Sequence, residues 1–206
     1  KVTKKNQNLY KGFVKPKNSH EPLDKYRHRV FGGSGNFWGG RCVPLDEIDF
    51  KKRDWIPYSG WPIKYLELMP YYKLASKLVK IDPFYINSFS VGNYKKEIIK
   101  GFNNSYITSS KMEYWSPVLN FAKEYKDLFL KKNITLLNNT HATKINTSKN
   151  KVTSILALSN NKKIIIKATN YILACGGIEN PRLLLVSQNK FYPKGIGNNH
   201  NIVGRF

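Results

Sequence analysis

Between Arg29 and Arg41 the chain reads Arg-Val-Phe-Gly-Gly-Ser-Gly-Asn-Phe-Trp-Gly-Gly-Arg, with five glycines within nine residues. Glycine turns through positive φ without strain and lets another group approach the main chain closely. A cluster of this kind suits a loop whose N–H groups face an anionic or planar ligand. A surface turn is the competing reading, although it needs only one or two glycines and rarely encloses a Phe and a Trp. On this stretch alone both readings stand. Gly33-x-Gly35 is followed by Asn36, Phe37 and Trp38, so the third glycine of a dinucleotide fingerprint is missing. No Gly-Lys-Ser/Thr is present, which excludes a phosphate loop of the ATPase type.

A second stretch with chemical potential is Tyr171-Ile-Leu-Ala-Cys175 followed by Gly176 and Gly177. The apolar run has the character of a strand buried in a parallel sheet. Asn180-Pro181 then reads as the cap of a helix carrying Leu183, Leu184, Leu185 and Val186. A buried strand, a double glycine and a capped helix match the ligand-binding edge of an open α/β sheet, and also an ordinary strand-to-helix turn. Proton-transfer groups are sparse: His20, His28, His141 and His200 are the only histidines. Cys42 and Cys175 are too few for a disulfide framework or a zinc site and are compatible with a reducing compartment.

The elements that must position these stretches follow from periodicity. Residues 1–26 are polar and lysine-rich, broken by Pro16 and Pro22, and read as an arm. Pro57, Gly60 and Pro62 forbid regular structure around Trp55 and Trp61, giving an ordered aromatic loop. Pro70 is placed to begin a helix with Tyr71, Leu74, Ala75, Leu78 and Val79 as a core stripe, ending at Asp82-Pro83. Residues 83–115 have no clear period. Ser116-Pro117 is read as the start of a second helix, burying Val118, Phe121, Ala122, Tyr125, Leu128 and Phe129. From Ile134 the period changes. Ile134–Leu137 is a short apolar strand, and 141–147, 151–159 and 162–167 are three β-runs separated by Ser-Lys-Asn and Asn-Asn-Lys turns, a β-meander.

Composition narrows the function classes. The formal charge is +22, with 35 basic against 13 acidic residues, which invites a nucleic-acid reading. Only six of the basic residues are arginine, the side chain that forks phosphates and base edges. Lysine and asparagine are spread evenly, so the charge reflects a broad compositional bias, and no nucleic-acid partner is expected. No window approaches the ~18 apolar residues of a membrane helix and no signal peptide is visible. A cytoplasmic protein is the expectation. The chain starts at Lys1 rather than Met, so an upstream segment is also expected.

Three features in this order resemble the glucose–methanol–choline (GMC) family of flavin oxidoreductases. They are Arg29-x-x-Gly-Gly-Ser-Gly-x-x-Trp-Gly-Gly40 continuing to Ser-Gly-Trp-Pro62, the block from 134 to 175, and Ala174-Cys-Gly-Gly-Ile-Glu-Asn-Pro-Arg-Leu-Leu-Leu185 with Asn201-Ile-Val-Gly-Arg205. The likeness spans about residues 27–206 and is nearest the bacterial sugar-dehydrogenase and pyranose-oxidase side of the family. It implies an α/β protein: part of a Rossmann-like FAD-binding domain with a β-meander, plus part of an α+β substrate domain. Residues 1–55 and 121–206 would belong to the FAD-binding domain and 56–120 to the substrate domain.

The activity so implied is FAD-dependent oxidation of an alcohol group, of a sugar or polyol, with hydride transfer to flavin N5 and removal of the hydroxyl proton by a base. The electron acceptor is not specified. The cofactor-binding residues carried over are Arg29, Gly32, Gly33, Ser34, Gly35, Asn36, Trp38 and Gly39 on the first stretch. Ala142 would contact the adenine side, and Ala174 and Gly176 would lie under the pyrophosphate. Family members that link FAD covalently carry a histidine where Phe37 stands, so FAD is expected to be non-covalent here. Trp38 and Gln188-Asn189 also depart from the family pattern. The family's dinucleotide fingerprint lies upstream of such a glycine stretch and its catalytic histidine downstream. No catalytic base is therefore assigned, and the chain is expected to be the interior of a larger enzyme, inactive alone. The alternatives are a truncated or degenerate flavoprotein-like module and, further off, a basic nucleic-acid binder.

Overall fold

The computed structural model describes residues 2–17, 19–81 and 113–205, which fall into two units, Lys1–Ile134 and Thr135–Phe206. In the first unit the arm is more ordered than its composition suggests. Helix α1 (Lys4–Gln7) is capped by Thr3, whose hydroxyl accepts the Asn6 N–H at 3.3 Å, and a 3₁₀ turn follows at Asn8–Tyr10. The glycine stretch forms a 3₁₀ turn at Gly33–Asn36 and then strand β1 (Arg41–Cys42). Strand β2 (Tyr114–Trp115) pairs with β1 antiparallel, Arg41 opposite Trp115 and Cys42 opposite Tyr114. Beside this bridge the Arg41 guanidinium forks the Glu113 carboxylate, both contacts at 2.6 Å.

Helix α2 (Tyr65–Val79) begins five residues before Pro70. The Glu67 carboxylate accepts the Lys64 N–H at 2.7 Å, an earlier start signal than the proline. Pro70 therefore lies inside the helix, still near its N-terminus. The helix ends at Val79, with Lys80 in the left-handed region (φ 53°) and the Ile81 N–H donating to the Ser76 carbonyl at 3.0 Å. The expected terminator Asp82-Pro83 and the unperiodic stretch through residue 112 lie outside the described residues. The stripe Tyr71, Leu74, Ala75 and Leu78 is exposed rather than core; the buried side carries Tyr65 and Ser76.

The second helix also departs from expectation. Ser116 donates its hydroxyl to the Val79 carbonyl at 2.6 Å and accepts the Val118 N–H at 3.0 Å, so it does not cap a helix. That role falls to Asn120, whose side chain accepts the Lys123 N–H at 2.9 Å at the start of α3 (Phe121–Glu124), and a 3₁₀ turn continues at Lys126–Leu130. Of the expected stripe, Val118 is buried but precedes the helix, Phe121, Ala122, Tyr125 and Phe129 are half-buried, and Leu128 is exposed.

The second unit is built on the β-meander. Strands β3 (Thr140–Ser148), β4 (Lys151–Ser159) and β5 (Lys162–Ile166) pair antiparallel in that order. Three link residues take positive φ: Asn160 at 47° and Asn161 at 67°, a residue type enriched there, and Lys149 at 47°. The register shifts twice, leaving Thr143 extra on β3 and Thr153 extra on β4. Each threonine hydroxyl donates across the gap, Thr143 to the Leu156 carbonyl at 3.1 Å and Thr153 to that of Asn146 at 3.2 Å.

Helix α4 (Glu179–Val186) packs on β3, with Ile145, Ala157 and Leu183 as the buried apolar residues of this unit. Ser187, fully buried, accepts the Ile145 N–H at 2.9 Å and donates to the Leu183 carbonyl at 2.6 Å. Two expected strands do not form. Ile134–Leu137 carries no ladder, and neither does Tyr171–Cys175, where Ile172 is 88% exposed. An apolar run becomes a strand only beside a partner, and among the described residues none pairs with these. The chain is thus of mixed helices and antiparallel sheets.

Candidate functional site

Two glycine turns, one in each unit, carry the candidate site residues. In the first, the side chains are committed to holding the turn itself. The Ser34 hydroxyl accepts the His28 N–H at 3.1 Å. Asn36 donates to the Phe31 carbonyl at 2.7 Å and accepts the Ala122 N–H at 3.1 Å. Trp38 donates its indole N–H to the Val118 carbonyl at 2.8 Å and leans on Phe121, ring centroids 5.6 Å apart. Ser34, Asn36 and Trp38 therefore act first as braces. Phe37 stacks on His28 at 3.9 Å and is half-exposed.

The glycines divide into two kinds. Gly32 (φ 83°) and Gly40 (φ 79°) are structural: a Cβ at Gly32 would stand 2.5 Å from the Asn36 amide and 2.7 Å from the Ala122 Cβ, and one at Gly40 would stand 2.7 Å from the Ser116 carbonyl. Gly35 lies against Phe121. Gly33 (φ 56°) and Gly39 have no atom within 4 Å of where a Cβ would be, so the space on that side of them is open, while the Gly33 N–H itself is held by the Val30 carbonyl at 2.8 Å. The Arg29 N–H donates at 3.1 Å to the side-chain oxygen of Gln7, and its guanidinium lies 5.3 Å from the Tyr10 ring.

The second turn repeats this plan. Asn180 accepts the Cys175 N–H on its side-chain oxygen at 2.9 Å, donates its amide to the Leu173 carbonyl at 3.3 Å, and sends its own N–H to the Gly176 carbonyl at 3.0 Å. It braces the turn instead of capping the helix, which starts one residue earlier at Glu179. Pro181 then falls in the first helical turn, where no N–H partner is lost. Gly176 (φ 89°) and Gly177 are bare, with nothing within 4 Å of an added Cβ. Ala174 and Cys175 are exposed. Gly177 is a candidate that sequence reading passed over, although its place beside Gly176 signalled it. Ala142 lies on β3 opposite Ala157, next to the Thr143 bulge.

Titratable groups add little chemistry to either turn. His20 and His200 are exposed, His28 is held against Phe37, and His141 stands in β3 opposite Leu158. Among the described residues no three His, Cys, Asp or Glu side chains are grouped to hold a metal ion. Burial pushes the Cys42 thiol up from its ordinary range, partly offset by a hydrogen bond with the Ser116 backbone. Cys42 lines a mainly apolar cavity of about 270 Å³ with Tyr72, Ser76, Val79 and Tyr114, which includes no residue of the glycine turn. No helix among the described residues is long and apolar enough to cross a membrane.

Residues 122–205 match the family model described as GMC oxidoreductase. The matched segment contains all but the first residue of α3, the meander and the second glycine turn. No curated protein matches the chain.

Proposed function

We propose that this chain is part of a flavin-dependent oxidoreductase that oxidises an alcohol group of a sugar or polyol. The observation that carries the reading is the family match over 122–205, in a segment whose Gly176–Gly177 turn leaves its main chain bare. The open faces at Gly33 and Gly39 fit a flat group lying against the main chain, although the Gly33 N–H is already donated to the Val30 carbonyl. Gly33, Gly39, Ala174 and Gly176 would meet FAD through the main chain. Ser34, Asn36 and Trp38 would fix the first turn rather than reach the cofactor, Gly32 and Gly35 would let it fold, and Arg29 would add positive charge nearby. Ala142 would serve the adenine side.

When bound, FAD supplies the acceptor for the hydride leaving the substrate carbon. This chain's residues bind and orient it; no histidine described here is placed as the base. Residues 1–55 and 121–206 would serve the cofactor and 56–120 the substrate, in a cytoplasmic enzyme whose electron acceptor remains to be identified by assay. Phe37 cannot form the covalent bond of a histidine, so the flavin would be held non-covalently. The test is acid precipitation of the full-length protein purified with its flavin. Yellow colour in the supernatant is the expected result; colour retained in the pellet overturns non-covalent binding, and colourless protein that takes up no added FAD overturns the reading.

A further inference from the structure

The N-terminal arm carries a feature that the flavin reading does not absorb. The Gln7 side chain reaches across to the chain leading into the glycine turn and engages both of its N–H donors and its oxygen there. Its amide nitrogen donates to the carbonyls of Asp24 and Arg27, and its oxygen accepts the Arg29 N–H at 3.1 Å. Two donors and one acceptor on one planar group are what an amide offers and a carboxylate, thioether or ammonium does not. The orientation of the amide is fixed as well, since flipping it would set its oxygen against two carbonyls.

The contact is reinforced from the opposite side. Arg27 donates to the carbonyls of Leu23 at 2.9 Å and Tyr10 at 3.0 Å, and its guanidinium lies over the Tyr10 ring at 4.1 Å. Beyond Arg29, the Gly33 N–H donates to the Val30 carbonyl at 2.8 Å and the His28 N–H to Ser34 at 3.1 Å. The backbone from Asp24 to Ser34 is thus tied at closely spaced points, with the arm supplying the ties on one side and the turn those on the other. Gln7 is half-buried, and helix α1, capped by Thr3, holds its backbone.

We infer that Gln7 is a positioning residue: it sets the path of Asp24–Arg29, and through it the conformation in which the glycine turn presents Gly33 and Gly39 to a cofactor. The role toward a cofactor rests on the flavin reading above; the clip itself does not. Removing the amide frees the approach segment, so the turn must be ordered again whenever a cofactor binds, and affinity falls.

The experiment uses the full-length protein with Gln7→Met, which keeps the stem and loses every polar contact, and Gln7→Glu, which retains the acceptor for Arg29 but turns an oxygen toward two carbonyls. Amide hydrogen exchange is read in the flavin-free protein and the FAD dissociation constant in parallel. Arg27→Lys, which loosens the clip from its other side, replaces either variant that fails to fold. Ser187→Ala, destabilising in the other unit, serves as the control that leaves exchange at Arg29 unchanged. The expected result is exchange at Arg29 faster by at least about tenfold and FAD binding weaker by about tenfold, the scale of two or three lost hydrogen bonds. Unchanged exchange at Arg29 in Gln7→Met overturns the clip. Faster exchange with FAD affinity intact overturns the positioning role. Wild-type protein that binds no FAD overturns that role together with the flavin reading, while the exchange data still decide whether the clip exists.

Discussion

Asn36 accepts the Ala122 N–H on its side-chain oxygen at 3.1 Å, joining residues that stand 86 apart in the chain. Ala122 sits in the first turn of α3, where backbone N–H groups lack a helical partner. The same amide donates to the Phe31 carbonyl at 2.7 Å, so one side chain closes the glycine turn and satisfies a helix end.

Asn36→Ala removes both bonds and leaves the Ala122 N–H without its partner. A loss of about 1–3 kcal/mol in the stability of the first unit is expected. All four tryptophans, at positions 38, 55, 61 and 115, belong to this unit, so urea unfolding followed by tryptophan fluorescence reads the change directly. A midpoint shift matching that of an exposed surface substitution would remove the bracing role.

Gly32→Ala and Gly39→Ala should behave differently although seven positions apart in one motif. An alanine at Gly32 meets Asn36 and Ala122 below 3 Å in a left-handed conformation, and a cost of at least about 2 kcal/mol is expected. Alanine at Gly39 meets nothing and should alter stability by less than about 0.5 kcal/mol. Loss of flavin from Gly39→Ala at unchanged thermal midpoint would show that a ligand lies against that main chain; full flavin retention would show that none does.

Ser187→Ala leaves the buried Ile145 N–H unsatisfied and frees the Leu183 carbonyl, at an expected cost of about 2 kcal/mol. Far-UV circular dichroism during urea unfolding is the suitable readout, since no tryptophan lies in this unit. Stability equal to that of wild type would mean that α4 packs on β3 without need of this residue.

Cys42 and Cys175 should differ in reactivity. Burial holds the Cys42 thiol above its ordinary range, while Cys175 is exposed at its turn. Iodoacetamide at mildly alkaline pH is expected to label Cys175 first, as mass spectrometry of timed samples will show; equal rates would contradict the burial. A thiol whose folded-state pKa is raised adds stability below its ordinary range, lost as pH climbs through the raised value. The first unit should therefore weaken as pH rises past about 8.5, and Cys42→Ser should flatten that slope.

The meander was the most legible part of the fold. Alternating apolar residues and turns rich in Asn and Lys set 141–147, 151–159 and 162–167, within one residue of the strands that form. Local chemistry decides such hairpins. The Tyr171–Cys175 run was misread because hydrophobicity reports what could be buried, whereas a strand also needs a neighbour. Pro70 misled in a similar way, since the Glu67–Lys64 contact, which starts the helix at Tyr65, outweighs a preference for the first helical position. At the candidate site, the glycine pattern marked the correct stretch but not the division of labour within it. That Gly32 is wedged and Gly39 bare depends on Asn36, Ala122 and their packing, and spacing carries no information about that. Gln7 was illegible for the same reason: its three partners lie 17 to 22 residues away.

Asn36 and Asn180 perform the same task at the two glycine turns, each with both ends of its side-chain amide engaged by the backbone around it. The loss of freedom that glycine would otherwise bring to binding is settled when the chain folds. A molecule that lies against either turn meets N–H groups already fixed in direction, and its affinity reflects contact alone rather than contact less the entropy of ordering a loop.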